Sequence, residues 1–378
     1  NSGCCNPALG TSMPSLLLPD AQPILTALAI LALTAACRFG FAVVTRLLGT
    51  SKRLLWPAAG AMASLPFVLR EPLLAWWGGT YADAQLGSFL AATAFAWCFF
   101  RAIERSVGTT PVGAAASLVE WIFYMSADVD PRYRDGKPLR PPPGKLRSQL
   151  AKLCATYAAT AAFVSAIEPF GFRPTAAVCE ACGVSGPLAA ALVRVGDNLS
   201  GTVLIYLFLS LLLTLGSILV LAQGHDPIDG FDNPVFKSCS PREFWGRRWN
   251  LQVNAMLKRS CYKPLAGAGL AAPLATLATF GASAGFHEYQ FALSMPGYRV
   301  GTASVFFLGQ GLLLVAQSLL EATPLRHLAS RAPLPLGVAF NITALSLVPD
   351  YFICNWIDLP TPLFGAVARL VPRIMWAA

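Results

Sequence analysis

Long apolar stretches separated by short polar loops dominate the hydrophobic pattern of this chain. Membrane-spanning strands would give short alternating segments, whereas these stretches are long and continuous, as in membrane helices. At roughly 20 residues per span, the pattern predicts an all-α polytopic membrane protein with about 8–10 transmembrane helices. The predicted spans cover residues 24–48, 54–69, 85–100, 150–167, 175–195, 202–222, 265–286, 300–320 and 334–348.

Three apolar segments leave alternatives open. The span at 54–69 contains two prolines and is either kinked or partial, and segment 111–126 carries Glu120, which is typical of an interfacial helix. Residues 364–375 place Arg369 and Arg373 opposite an apolar face, so they form either a last span or an amphipathic interfacial helix.

The chain divides into a short terminus and one large domain. Residues 1–20 are rich in Gly, Pro and Ser and predict a flexible N-terminal segment. Residues 21–378 predict a single multi-span membrane domain. Because the chain begins at Asn1 without Met, we expect a fragment or a processed form.

Composition excludes a soluble globular protein. The 378 residues are 55% hydrophobic and only 12% charged, whereas soluble domains carry about 25% charged residues. The formal net charge of +9 arises largely from basic loops that flank apolar spans. This is the positive-inside pattern of cytoplasmic loops, so the charge predicts no nucleic-acid partner.

Two basic loops raise a question of orientation. The loop at 128–149 contains six Lys or Arg residues and several prolines, and a second basic stretch lies near residue 245. Both should face the same side, yet three predicted spans between them would place them on opposite sides. We therefore expect one of the three, 175–195 with its Gly183, Gly186 and Pro187, to be broken or re-entrant.

Neither metal nor disulfide chemistry is indicated by the ten cysteines. Several lie singly in apolar segments, where Cys behaves as a small hydrophobic residue. The Cys179–Cys182 pair has no second pair and no His near it, so we expect no metal site. The span at 265–286 instead contains Gly267, Gly269 and Gly281, which suit close helix packing in lipid.

The most polar stretch is 240–264, and it has a clear helix start. Ser240 is a typical N-cap, Pro241 takes the first helical position, and Glu243 completes a capping box. The helix should run to about Ser260, because Pro264 disfavours continuation. At helical spacing, one face carries Trp245, Trp249, Val253 and Met256, and the opposite face carries Glu243, Arg247, Asn250, Asn254 and Lys258.

A surface anchor explains most of this helix, with Trp at headgroup depth and Arg on lipid phosphates. It explains Asn250 and Asn254 less well. His287 and Glu288 end the apolar run that follows, and intramembrane ionisable residues are functional candidates. An equally weighted alternative is that His287 is a structural residue whose hydrogen bonds are satisfied within the protein. A buried ring tends to be neutral, which is the form that a general base needs.

These motifs resemble the wax synthase domain of the membrane-bound O-acyltransferase superfamily. The similarity lies in Phe-Trp-Gly-Arg-Arg-Trp-Asn at 244–250, Tyr-x-Pro at 262–264, and a Ser-Gly-x-x-His-Glu type motif at 283–288, within a motif region of 225–325. The third motif differs in the order of its small residues, which leaves His287 in register. The resemblance implies the multi-span fold of that superfamily.

It also implies acyl transfer from acyl-CoA, as co-substrate without a cofactor, to the hydroxyl of a lipophilic alcohol, giving a wax ester. His287 would be the catalytic base, and the amide of Asn250 or an indole N–H would stabilise the oxyanion. Arg247, Arg248, Lys258 and Arg259 would attract the CoA phosphates. The expected substrate-binding residues are Trp245, Arg247, Arg248, Trp249, Asn254 and Glu288.

Other functions stay open at this point. Within the enzyme class, the acceptor is alternatively a sterol, a diacylglycerol or a small hydroxylated metabolite. A transporter would use His287, Glu288 and Asp350 along a polar path, although the sequence has no inverted repeat. A structural membrane subunit would use 240–264 for docking. With membrane lipids as partners, we expect a multi-pass protein of the endoplasmic reticulum membrane, of open oligomeric state.

Overall fold

Helices make up nearly all of the protein, as expected for an all-α polytopic membrane protein. The computed structural model describes residues 15–77, 80–324, 334–346 and 348–375. The first half contains β1 (Ser15–Leu17), α1 (Ala21–Leu48), α2 (Lys52–Trp77), α3 (Tyr81–Val107), a 3-10 turn (Val112–Ala115), α4 (Leu118–Ser126), β2 (Tyr133–Arg134), β3 (Lys137–Pro138), α5 (Lys145–Ile167), a second 3-10 turn (Glu168–Phe170), α6 (Thr175–Ala181) and α7 (Gly186–Ala222).

The second half is more interrupted. It contains α8 (Pro234–Lys237), α9 (Pro241–Glu243), a π-helical turn (Phe244–Arg248), α10 (Leu251–Leu257), a second π-helical turn (Lys258–Tyr262), α11 (Lys263–Gly267), α12 (Ala272–Ser294), α13 (Thr302–Glu321), α14 (Leu334–Leu345), α15 (Asp350–Ile357), α16 (Leu363–Ala368) and β4 (Arg373–Met375). Two short antiparallel pairs, β1 with β4 and β2 with β3, complete the described part of the chain.

Fewer helices than predicted have the length and hydropathy of a membrane span. In the described residues, five do so, namely Ala21–Leu48, Tyr81–Val107, Lys145–Phe170, Gly186–Ala222 and Thr302–Glu321. Counting α14 and α15, bent by 72°, as one broken span raises the number to six. The helices α2 and α12 are of similar length but are not among these five. The predicted spans, about 8–10 in number, therefore exceed the helices that meet this criterion in the described residues.

The two basic loops lie on the same side of the protein, because they contact each other. The Asp130 amide of the first loop donates to Gln252 Oε1 at 2.9 Å, and the Asp130 carboxylate pairs with Arg259, both in the polar stretch 240–264. Of the helices between the two loops in sequence, only α5 and α7 are long enough to cross a membrane, and two crossings return the chain to the same side. The predicted span at 175–195 is broken as expected, with Gly183 and Gly186 at positive φ between α6 and α7.

Both chain ends differ from their predicted form. Residues 364–375 form neither a span nor an amphipathic helix: α16 ends at Ala368 and the chain then extends into β4. Strand β4 pairs with β1, so residues 15–17 of the predicted flexible segment are part of a strand. The Asp20 side chain accepts from the Gln22 amide at the start of α1 and pairs with Arg369. Residues 1–14 lie outside the described part.

Close helix packing depends on glycines other than those predicted. A Cβ at Gly87 of α3 would lie 2.6 Å from Ile30 Cδ1 of α1, and one at Gly311 of α13 would lie 2.9 Å from Phe280 Cβ of α12. By contrast, Gly267 and Gly269 precede α12, and nothing lies within 4 Å of a Cβ at either. Small residues therefore permit close approach where α1 meets α3 and α12 meets α13.

A buried network of charges joins α3 to the polar segment. Arg101 and Glu104 of α3 and Asp130 of the following loop are almost completely buried. Asp130 pairs with both Arg101 and Arg259, while Arg259 Nε also lies 3.1 Å from Glu104. Burial raises the pKa of the Asp130 carboxyl, but the two guanidinium groups more than offset it and hold this pKa below its usual value. Two cations and two anions thus neutralise each other.

We predict that Asp130→Asn destabilises the protein strongly, because it leaves two buried guanidinium groups facing one carboxylate. Breaking a buried pair in this way costs about 3–5 kcal/mol. The control is Asp229→Asn, whose side chain is 37% exposed beside Arg132 and Lys145, and which should cost at most about 1 kcal/mol. Thermal unfolding in detergent compares the two, and equal effects would contradict a structural role for the network.

Candidate active site

The polar segment begins as the sequence predicts but does not continue as one helix. The Ser240 hydroxyl accepts from the Glu243 amide at 3.2 Å, with Pro241 in the first turn. The expected continuous helix to Ser260 is wrong, because a π-helical turn follows Glu243 and the helix breaks at Asn250. The expected stop at Pro264 is also wrong. This proline lies in the first turn of α11, where its missing N–H is not needed.

Asn250 forms the break, and its residue type suits the position. Its φ of 39° is in the left-handed region, which Asn adopts more readily than most L-residues because its short polar side chain bonds locally. Here Oδ1 accepts from the Val253 amide at 3.3 Å and caps α10. Asn254 Nδ2 donates to the Trp245 carbonyl at 2.9 Å, across the break. Within the described residues, the Asn250 Nδ2 group has no hydrogen-bond partner.

Because of this break, both predicted faces of the segment reach one cavity. Its volume is about 930 Å³, near the upper end for small-molecule sites of roughly 300–1,000 Å³. The segment contributes Trp245, Trp249, Asn250, Val253, Asn254 and Lys258 to the wall. The other walls come from α3, α7, α12, α13, α14 and α15, and most of their lining side chains are aromatic or aliphatic. The cavity therefore suits a largely apolar ligand.

His287 also lines this cavity, from within α12 rather than at its end. The Nδ1 atom lies 2.8 Å from the Ser283 carbonyl oxygen. A carbonyl only accepts, so Nδ1 carries the proton in this bond. In the neutral ring Nε2 then holds a lone pair, and no hydrogen-bond partner of Nε2 is present in the part of the chain described. This is the tautomer that a base acting through Nε2 requires.

Aromatic rings hold the imidazole in place. It stacks on Phe307 with ring centroids 4.1 Å apart, and Phe286, Phe291 and Phe352 meet it edge-on within 6 Å. These rings come from α12, α13 and α15. They leave few orientations for the side chain, so the direction of Nε2 is set by packing as well as by the Ser283 carbonyl.

The Trp245 indole N–H is already bonded. It donates to Gln310 Oε1 at 3.1 Å, and Gln310 Nε2 in turn donates to the Leu345 carbonyl at 3.3 Å. Trp245 therefore tethers the segment to α13, and its indole does not supply the oxyanion donor considered from the sequence. Trp249 packs flat on Phe244 at the cavity wall.

Three of the expected substrate-binding residues do not line the cavity. Arg248 pairs with Glu243 and Asp232, which fixes the turn before the break. Glu288 accepts from the backbone amides of Gly301 and Ser304 at the start of α13. Arg247 is exposed outside the cavity.

Arg259 is likewise committed, to the buried charge network. It is therefore not placed to attract CoA phosphates, whereas Lys258 is exposed at the cavity wall. Four amide residues of the lining were missed from the sequence, namely Asn198, Gln290, Gln310 and Asn341. Each is an uncharged amide inside an apolar span, and that pattern is the signal that would have found them.

Comparison with known proteins finds a family model that matches part of the chain. The family model for MBOAT, the membrane-bound O-acyltransferase family, matches residues 195–329, which contain the polar segment and His287. This part of the chain is therefore similar to the membrane-bound O-acyltransferase family. The resemblance inferred from the motifs at 244–250 and 283–288 is thereby confirmed.

Curated proteins from Arabidopsis thaliana are similar to part of the chain. A probable long-chain-alcohol O-fatty-acyltransferase 7 is 35% identical over 30% of this chain and 35% of its own length. A probable long-chain-alcohol O-fatty-acyltransferase 3 is 30% identical over 34% and 39%. Acyl-CoA–sterol O-acyltransferase 1 is 31% identical over 45% and 52%. The chain thus aligns with about a third to a half of the length of these relatives.

The geometry at Asn250 generates a prediction about stability. Asn250→Ala loses the cap, worth about 1 kcal/mol, and forces Ala into the left-handed region at about 1–2 kcal/mol. Asn250→Gly also loses the cap side chain, but glycine adopts this φ without strain. We expect Asn250→Ala to lower thermal stability in detergent clearly more than Asn250→Gly. Equal losses would show that the left-handed break is not a constraint.

Proposed function

We propose that this membrane-bound O-acyltransferase moves a fatty acyl group from an acyl-CoA thioester to the hydroxyl of a long-chain alcohol, giving a wax ester. One observation carries the proposal: the Nε2 lone pair of His287 belongs to a side chain that lines an apolar cavity, in the tautomer set by the Ser283 carbonyl. The names of the long-chain-alcohol acyltransferases that align with this chain support the acceptor class.

His287 acts as the general base. Its Nε2 takes the hydroxyl proton as the alcohol oxygen attacks the thioester carbon, so a C–O bond forms and a tetrahedral oxyanion develops. When this intermediate collapses, the C–S bond breaks and the imidazolium returns the proton to the departing thiolate. The products are the ester and free CoA, and the reaction needs neither a cofactor nor a covalent enzyme intermediate.

Asn250 supplies the oxyanion donor. Its Oδ1 is fixed as an acceptor for the Val253 amide, which leaves Nδ2 at the cavity wall with its N–H groups available. A donor that is positioned before the reaction stabilises the oxyanion without reorganising. The left-handed backbone at Asn250 therefore serves both the fold and the chemistry.

The apolar wall serves the two lipid substrates and keeps water from the thioester. Trp245, Trp249 and Asn254 shape the wall beside the reacting carbon. Of the four cations expected to attract CoA, the exposed pair Arg247 and Lys258 suits its phosphates. Because both substrates are membrane lipids or amphiphiles, we place the protein in the endoplasmic reticulum membrane.

A sterol is the second candidate acceptor. The similarity to acyl-CoA–sterol O-acyltransferase 1 covers 45% of this chain, more than the similarity to the long-chain-alcohol acyltransferases. The chemistry at His287 and Asn250 is the same for both acceptors, since each offers one hydroxyl on an apolar body. The acceptor is therefore decided by cavity shape.

The test uses purified protein in lipid nanodiscs with labelled acyl-CoA and a panel of acceptors. We expect His287→Ala to lower ester formation by about 10²–10⁴-fold, the usual contribution of a general base. Thermal unfolding should show that the variant stays folded.

His225→Ala is the matched control. This histidine lies outside the main cavity, 3.5 Å from Glu120, and its replacement should leave the rate unchanged. Near-normal turnover by His287→Ala would overturn the assignment of the base. Transfer to a sterol in preference to long-chain alcohols would replace the first acceptor by the second.

A further inference from the structure

Asn341 is a buried amide with no partner, and it lines the cavity. This residue of α14 is completely buried, and in the described residues neither Oδ1 nor Nδ2 forms a hydrogen bond. It belongs to the cavity wall together with Ile342 and Leu345 of the same helix. The other amides Gln290 and Gln310 both have partners in the protein. The indole N–H groups of Trp97 and Trp356 in the same wall are also unpaired in the described residues, but each is a donor only, whereas Asn341 leaves both a donor and an acceptor unpaired.

An unpaired buried amide disfavours folding, so a native protein that contains one needs a reason for it. Leaving a buried polar group unbonded costs about 1–3 kcal/mol, and such groups are rare. Leucine has the same branched arrangement of four side-chain heavy atoms, is larger, and would avoid this cost within the otherwise apolar wall. The amide therefore points to a ligand group that bonds to it.

Asn341 lies between His287 and the start of the polar segment at 240–264. Leu345, one turn later, accepts from Gln310, and Gln310 lies one turn beyond Phe307, on which His287 stacks. Gly337, one turn earlier, lies against Cys239, 3.1 Å from a Cβ placed there. At 1.5 Å per residue, Asn341 is roughly 10 Å from the level of His287 along the helices.

We propose that Asn341 binds a secondary amide in the pantetheine arm of the acyl thioester donor, an inference that rests on the proposed acyl transfer. The arm starts at the sulfur beside His287, and its phosphorylated end must reach water. Its two secondary amides each provide a carbonyl acceptor and an N–H donor, which match Nδ2 and Oδ1 of Asn341. Asn341 thereby selects CoA-type donors over simple thioesters.

A long-chain alcohol or a sterol does not account for this amide. Each has a single hydroxyl, and that group must lie at His287 to react. The acyl chain carries no polar group beyond its carbonyl. Only the donor arm, or an acceptor with a second polar group, presents a hydrogen-bonding group at Asn341, and the two are separated by experiment.

The test compares Asn341→Leu with Thr343→Val. Thr343 is an exposed residue of the same helix whose hydroxyl donates to the Ala339 carbonyl, and it is not part of the cavity wall. Three donors are used with the same alcohol: an acyl-CoA, the acyl-pantetheine thioester and the acyl thioester of 1-butanethiol, which has no amide. We expect Asn341→Leu to raise KM about tenfold for the first two donors only. Thr343→Val should change none of the three.

Thermal unfolding gives a second readout that a structural role would not produce. Without ligand, Asn341→Leu should be at least as stable as the original protein, because it removes an unpaired buried amide. The stabilisation given by added acyl-pantetheine should fall in this variant. A lower stability without ligand would overturn the proposal in favour of a structural role.

The remaining outcomes are also decisive. A raised KM for the alcohol with every donor would assign Asn341 to the acceptor and overturn the proposal. If the original protein transfers no acyl group, the proposed function fails. Stabilisation by acyl-pantetheine that depends on Asn341 then still supports the binding site, and its absence overturns it.

Discussion

The buried charge network around Asp130 is the constraint on which the active-site geometry depends. Charges this deep are tolerated only in pairs, so Arg259 must stay beside Glu104 and Asp130. This fixes the C-terminal half of the polar segment against α3. The Trp245–Gln310 bond fixes its other half against α13. A segment too polar to cross a membrane is thereby held against the helical bundle, where Trp245, Trp249 and Asn250 line the cavity while Arg247 stays exposed outside it.

Between these two attachments, the break at Asn250 determines what the cavity contains. A continuous helix would direct Trp249 and Asn254 to different sides, so only one of these two side chains would face the cavity. The left-handed residue Asn250 and the π-helical turn before it bring both side chains to the same wall. The segment thus brings aromatic rings and the amide of Asn250 to one cavity wall, which a regular amphipathic helix does not do.

Much of this protein is predictable from its sequence, and the failures have physical causes. Helical class, the Ser240 cap and the motif pair follow from local pattern, and the broken span at 175–195 follows from charge placement. The break at Asn250 does not, because Asn is as acceptable in a polar helix face as in the left-handed region. The sequence predicts that Arg248 and Glu288 bind the substrate. Their partners in the structure are Asp232 and Ser304, ordinary loop or helix residues that only the tertiary structure brings close to them. The predicted spans, about 8–10 in number, exceed the five or six of the described residues, since apolar stretches such as 175–195 do not each form one long helix.

Two amides in the cavity illustrate how structure separates roles that sequence leaves together. The Oδ1 atom of Asn250 accepts a hydrogen bond within its own helix, whereas Nδ2 has no partner in the described residues. The same side chain therefore stabilises the fold and keeps its N–H groups available. Asn341 has neither atom engaged, and its conformation owes nothing to a hydrogen bond within the described residues. A buried amide that forms no hydrogen bond in an apolar wall is most simply explained by a ligand that enters the cavity and bonds to it. Under the proposed function, binding energy at such a remote group would position the thioester at His287 without contact to the reacting atoms.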